Sequence, residues 1–177
     1  MCDAVTNHDY MNERTTNLVG AVAVALYDAV VGVVGEAAGH GASAPAALIT
    51  LLACPDETVD TLSKTIGLTS SGTVRLVDRL AEAGLVRRHP GHDGRSVALA
   101  LTKSGRLAAE QALAGRRRVI SAATAVLTPA EQQQLGCLAE KLLQGMTRDR
   151  AHADFICRLC DYERCPQDVC PVEQAAN

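Results

Sequence analysis

The stretch that decides the fold is Thr69–Leu80, Thr-Ser-Ser-Gly-Thr-Val-Arg-Leu-Val-Asp-Arg-Leu, followed closely by Gly84-Leu85-Val86. The hydroxyls of Thr69, Ser70 and Ser71 suit the free N–H groups that open a helix. Val74, Val77, Leu80 and Ala81 then recur at helical spacing as a buried stripe. Upstream, Asp56 or Glu57 opens a shorter helix with Val59, Leu62 and Ile66 on one face, and Gly67 ends it. Two short helices joined by a tight glycine turn form a helix-turn-helix. Downstream, Leu85–Arg88 reads as a strand, Pro90 to Gly94 as a turn-rich loop, and Ser96–Leu101 as the return strand. A hairpin directly behind a helix-turn-helix makes a winged helix.

Outward from this segment the chain reads as helical. Residues 1 to about 12 are polar and unpatterned and predict a loose terminus, after which Asn12 to about Ala38 predicts a long helix stopped by Gly39, Gly41 and Pro45. Ala46–Cys54 predicts a short buried helix ended by Pro55. Thr102 and Ser104 offer caps for a long helix toward Ala125. Thr128-Pro129-Ala130-Glu131 has the residues of a capping box opening a last helix to about Thr147. The expected fold is mainly α with a small β-hairpin wing: a winged helix-turn-helix plus a helical dimerisation region. Residues 1–45 supply an N-terminal helix, 46–106 the winged lobe, 107–150 the C-terminal helices and 151–177 a cysteine-rich tail.

With 177 residues, 47% hydrophobic and 21% charged, the chain suits one soluble domain and excludes a disordered polypeptide. Only Phe155, Tyr10, Tyr27 and Tyr162 are aromatic, so the core must come from Leu, Val, Ile and Ala, which favours helices over a β-sandwich. The apolar run Leu18–Val34 is interrupted by Asp28 and reads as a buried helix rather than a membrane span. No basic segment precedes a cleavable apolar stretch, so the cytoplasm is the expected compartment. No nucleophile is paired with a base and no phosphate-binding glycine loop is present, so an enzyme is not expected.

The net charge of −3 conceals a division: −7 over residues 1–60, +5 over 61–106 and −1 over 107–177. The positive charge coincides with the winged helix, as in a nucleic-acid footprint. Ser70, Ser71, Thr73 and Arg75, near the start of the second helix, are the candidate base readers in a major groove. Arg79 either reaches a phosphate or pairs with Asp78 or Glu82. Arg87 and Arg88 alternate along a strand, so only one faces DNA, and Arg88 is the candidate. Arg95 is placed to enter a minor groove or to pair with Asp93. His89 and His92 read as loop residues.

Residues 46–106 resemble the winged helix-turn-helix of the multiple-antibiotic-resistance regulator (MarR) family of bacterial repressors. The resemblance is carried by Val59-x-x-Leu62, Thr69–Leu80, Gly84-Leu85-Val86-x-Arg88, Asp93-x-Arg95-Ser96 and Leu101-Thr102-x-x-Gly105. It implies a homodimer in which the N-terminal and C-terminal helices pack together and hold two recognition helices over a pseudo-palindromic operator. It also implies a small-molecule effector pocket between those helices and the DNA-binding lobe. The helices Leu18–Val34 and Leu135–Leu143 carry more apolar surface than one winged helix covers, which agrees with a dimer.

The resemblance does not extend to Cys157-x2-Cys160-x4-Cys165-x4-Cys170, which places four of seven cysteines within fourteen residues. Four clustered thiolates suit a tetrahedral zinc site. Pro166 and Pro171 directly follow Cys165 and Cys170, as at the ends of iron–sulfur ligand runs. Stress-sensing disulfides are a third reading. Cys54 and Cys137 lie in apolar helical contexts suited to buried thiols, and Cys2 has no evident partner. Against a DNA-binding repressor stands a metal- or redox-responsive interaction protein whose tail is the active part.

Overall fold

The structure is a computed structural model; it describes residues 3–38, 40–41, 43–91, 96–165 and 167–176, with side chains from residue 12 onward except those of 37 and 38. In chain order these form α1 (Asp3–Ala38), α2 (Ala44–Ala53), β1 (Glu57–Thr58), α3 (Val59–Ile66), α4 (Ser70–Glu82), β2 (Val86–Pro90), β3 (Val97–Leu101), α5 (Lys103–Thr124), α6 (Pro129–Met146) and α7 (Arg150–Cys157). A 3₁₀ turn at Gln167–Val169 and α8 (Pro171–Ala175) complete the tail.

The helix starts are written in threonine. Thr58, Thr69, Thr102 and Thr128 cap α3, α4, α5 and α6, each side chain accepting from a backbone N–H three residues on. Such a cap contributes about 1 kcal/mol. At Thr128 the capping box is complete, because Glu131 reaches back to the Thr128 N–H. Gly67 ends α3 in the left-handed conformation, with φ +69°, as its place in the helix-turn-helix requires. The mainly α fold and the wing hairpin agree with expectation.

The main core joins α2, α3, α4, β3 and α5 through Leu48, Leu62, Leu76, Val77, Leu80 and Leu99, with Ala44, Ala47 and Ala109 filling the close approaches. A second cluster of Val30, Val34, Ile49 and Ala112 seats α1 on α2 and α5. The sheet has the order β1-β3-β2, all antiparallel, with Glu57 opposite Leu99 and Val86 opposite Leu101. β1 stands where the sequence reading opened a helix at Asp56 or Glu57; Glu57 and Thr58 pair with β3 instead, and α3 starts at Val59 behind the Thr58 cap.

Two expectations for α1 are corrected. The helix begins at Asp3 rather than Asn12; residues 3–12 hold neither Gly nor Pro, so nothing in them stops the helix from extending backward. Its apolar run is largely exposed rather than buried: Val22 is 55%, Val24 62% and Tyr27 60% exposed, and only its last turns reach the core, through Val30 and Val34. Leu138, Leu142 and Met146 of α6 are exposed as well. Asn12–Glu36 is long and apolar enough to cross a membrane by length and composition. A helix whose apolar face is covered by another protein surface has the same properties.

α5 starts against the chain that leaves α4. A Cβ added at Gly105 would overlap the Leu85 carbonyl, whereas one added at Gly136 of α6 would meet nothing within 4 Å. Gly105→Ala is therefore expected to lower the unfolding free energy by about 1–3 kcal/mol in chemical denaturation. Gly136→Ala should raise it by about 0.5–1 kcal/mol, because alanine costs less entropy than glycine in an exposed helix.

Candidate nucleic-acid interface and cysteine tail

On α4 the buried positions are Thr73, Leu76, Val77 and Leu80. Ser70, Ser71, Arg75 and Arg79 are exposed at its N-terminal end and outer side, as expected. Thr73 is not: it is fully buried, and its hydroxyl donates to the Thr69 carbonyl at 3.1 Å. It occupies the core place expected of Val74, which is 42% exposed. A base-reading role for Thr73 is thereby excluded, since its one donor is spent inside the helix.

Among the described residues, Arg75 and Arg79 form no ion pair. Asp78, offered as a partner for Arg79, instead accepts from Arg88 Nη2 at 2.7 Å and ties β2 to α4. Arg88 stays partly exposed, and its planar fork has donors left over. Arg87 beside it is exposed. His89 lies on β2 rather than in a loop, its Nε2 2.8 Å from Asp56 Oδ1. Asp93, Arg95 and His92 fall outside the described residues. The surface thus presents hydroxyls and unpaired guanidinium groups on one helix, with the sheet braced behind it.

Between α2, α5 and the tail lies a cleft of about 340 Å³, within the range of small-molecule sites. Ile49, Leu52 and Leu113 give it apolar walls, and Arg106, Glu110, Arg117 and Arg164 give it charge of both signs. Residues Cys160–Arg164 form one side of it.

The tail is folded, which the sequence reading did not foresee. Asp149 caps α7, and Arg150 bridges Asp154 one turn on and Glu173 of α8. The cap and the i, i+4 pair were legible signals for this helix. α7 lies against α3, and α8 against α6. The Phe155 ring sits directly on Gly67, where a Cβ would come within 2.6 Å of it, and Arg158 stacks over the same ring 3.8 Å from its centre.

Cys157, Cys160, Cys165 and Cys170 all line a single cavity of about 20 Å³, together with Arg150 and Glu173. They stand as two couples, Cys157 with Cys160 and Cys165 with Cys170. Cys157 donates to Cys160, which pulls Cys160 down to about 6 with help from the Arg116 charge and pushes Cys157 up. Burial first, then the Cys170 charge, raises Cys165 to about 11. Among the described residues no three His, Cys, Asp or Glu side chains already stand in a metal-holding arrangement. Cys137, expected to be buried, is exposed on α6, and Cys54 is half-buried.

Residues 46–96 match the MarR family. Among solved structures, the chain is similar to a MarR family protein from Bacillus stearothermophilus, with 25% identity and a TM-score of 0.69 over 79% of this chain and 98% of that one. It is also similar to the YusO protein of Bacillus subtilis, at 22% identity and TM-score 0.67 over 77% and 96% of the two chains. A third likeness is to MepR, a transcription regulator of the Staphylococcus aureus multidrug efflux pump MepA, at 17% identity and TM-score 0.61 over 75% and 98%. No curated protein matches.

Thr73→Val keeps the side-chain volume and removes only the hydroxyl bond to Thr69. It is expected to change stability by no more than about 1.5 kcal/mol and to leave DNA affinity unaltered in a fluorescence titration. A loss of affinity at unchanged stability would return Thr73 to the contact surface.

Proposed function

We propose, from the MarR-family winged helix-turn-helix that this chain carries at residues 46–96, that the protein is a sequence-specific DNA-binding transcriptional regulator acting as a homodimeric repressor. It works on double-stranded DNA in the cytoplasm and is not an enzyme. The observation that carries the reading is the outer side of α4, where Ser70, Ser71, Arg75 and Arg79 are exposed and both guanidinium groups are unpaired among the described residues. The N-terminal part of a helix so furnished suits a major groove, with arginine reading guanine through its paired donors and the hydroxyls serving bases or phosphates. Arg88, braced by Asp78, directs its remaining donors toward the backbone.

The homodimer is supported by the apolar side chains that the single chain leaves in water. Leu18, Val19, Val22 and Tyr27 on α1, and Leu135, Leu138, Leu142 and Met146 on α6, form more exposed apolar surface than a soluble monomer keeps. A twofold copy covers the same patch on both partners. The cleft of about 340 Å³ beside α2 and α5 is the seat for a small-molecule effector.

Gel retardation and anisotropy with duplex from the DNA flanking its own gene test the reading. Arg75→Ala is expected to weaken specific binding by about 1–3 kcal/mol, and Arg79→Ala to weaken binding to all sequences and reduce the salt slope by about 1. No retarded band at low salt, or unchanged affinity and slope in both variants, overturns it. In sedimentation analysis the chain should run as a dimer, and Leu138→Glu combined with Leu142→Glu should run as a monomer, because a charge desolvated at such an interface is not repaid.

A further inference from the structure

We propose that Cys157, Cys160, Cys165 and Cys170 together hold one Zn²⁺, and that this ion fastens the tail to the turn between α3 and α4. Four thiols contributed by two turns of chain converge on one cavity of about 20 Å³. A cavity of about 10–15 Å³ admits a single water-sized guest. This one has room for a single ion. Thiolate sulfurs are soft donors, and four of them make the closed tetrahedral set of a structural zinc site. The thiols now pair as two couples, so the ion gathers them by turning the side chains inward from positions already facing the same space.

Energetics point the same way. The tail has a core of only Ala153, Cys170 and Val172, with a few half-buried neighbours. A bound ion adds a staple to so small a local core. Four thiolates around Zn²⁺ carry a net charge of −2, and the charge of Arg116 on α5 acts on Cys160 and Cys165 to offset part of it. Arg150 at the cavity wall is already paired with Asp154 and Glu173 and so holds the wall in place. On binding, each sulfur that is still protonated gives its proton to solvent as its Zn–S bond forms, with no change of oxidation state.

The site is tied to the helix-turn-helix through the residues threaded among its ligands. Leu159, between Cys157 and Cys160, packs against both the α2–α5 core and the α1–α5 cluster. Phe155, two residues before Cys157, covers Gly67. Closing the ligand loop thus presses α7 against the turn that sets the angle between α3 and α4.

The test uses the full chain purified without chelator. Elemental analysis is expected to give about one zinc per chain, retained in Cys137→Ser and falling below about a tenth in Cys160→Ser and in Cys165→Ser. Cobalt in place of zinc should give the visible absorption of a tetrahedral thiolate site. Because a serine variant can unfold the tail, the native chain is also stripped with a chelator and followed by hydrogen exchange. The amides of Gly67 and Leu68 and of α7 should exchange at least about tenfold faster without the ion and recover on adding zinc. A metal-free chain with four titratable thiols, or a brown chromophore, overturns the zinc site. Zinc bound with identical exchange at the turn overturns the fastening. Neither readout involves DNA, so either result leaves the DNA-binding proposal to its own test.

Discussion

The carbonyl of Leu85 is the point on which the winged helix-turn-helix is hung. It accepts from the Thr102 N–H at 3.0 Å, and the Thr102 hydroxyl donates at 2.6 Å to the neighbouring Gly84 carbonyl while accepting from the Gly105 N–H. Gly105 has no side chain because the Leu85 carbonyl fills that space. One residue cluster therefore fixes three things at once: where α4 ends, where the hairpin begins and the line along which α5 leaves. The exposed arginines of α4 are placed by this corner and by the turn at Gly67, one at each end of the helix.

A core nearly free of aromatic residues makes such close approaches necessary. Alanines and glycines bring backbones together where a larger side chain would hold them apart, so volume changes are felt at once. Gly115 of α5 meets Val33 of α1 in the same way, with a Cβ there only 2.6 Å from the valine methyl. Helix packing in this protein is set by the residues that are absent at the contact as much as by the leucines beside it.

Much of this was legible in the chain. The caps at Thr69, Thr102 and Thr128, the glycine at the helix-turn-helix and the hairpin behind it are local signals that fell where their residues indicated, whereas α3 is capped by Thr58 and not opened by Asp56 or Glu57. What failed was the reading of Thr73 and Val74. Pattern counting treats valine as core and threonine as surface, yet a threonine in a helix can satisfy its hydroxyl on the carbonyl four residues back and then pack like a valine. The exposure of α1 escaped for a different reason: apolar periodicity reports that a face will be covered, without saying whether the cover comes from the same chain. The partner of Arg88 and the neighbours of the cysteines depend on contacts distant in sequence, which spacing alone does not encode.

The position of the tail gives it leverage out of proportion to its size. α7 rests on α3 of the winged helix-turn-helix, α8 rests on α6, and the salt bridges of Arg150 join the two short helices. α6 in turn carries the exposed apolar side chains proposed to meet a second copy. The tail consequently bridges the lobe that presents Arg75 and Arg79 and the helix proposed to meet a second copy. The tail residues that flank the cleft beside α5 belong to the same loop that carries Cys160, so the cleft and the cysteine cavity share Cys160 and Tyr162 as a common wall.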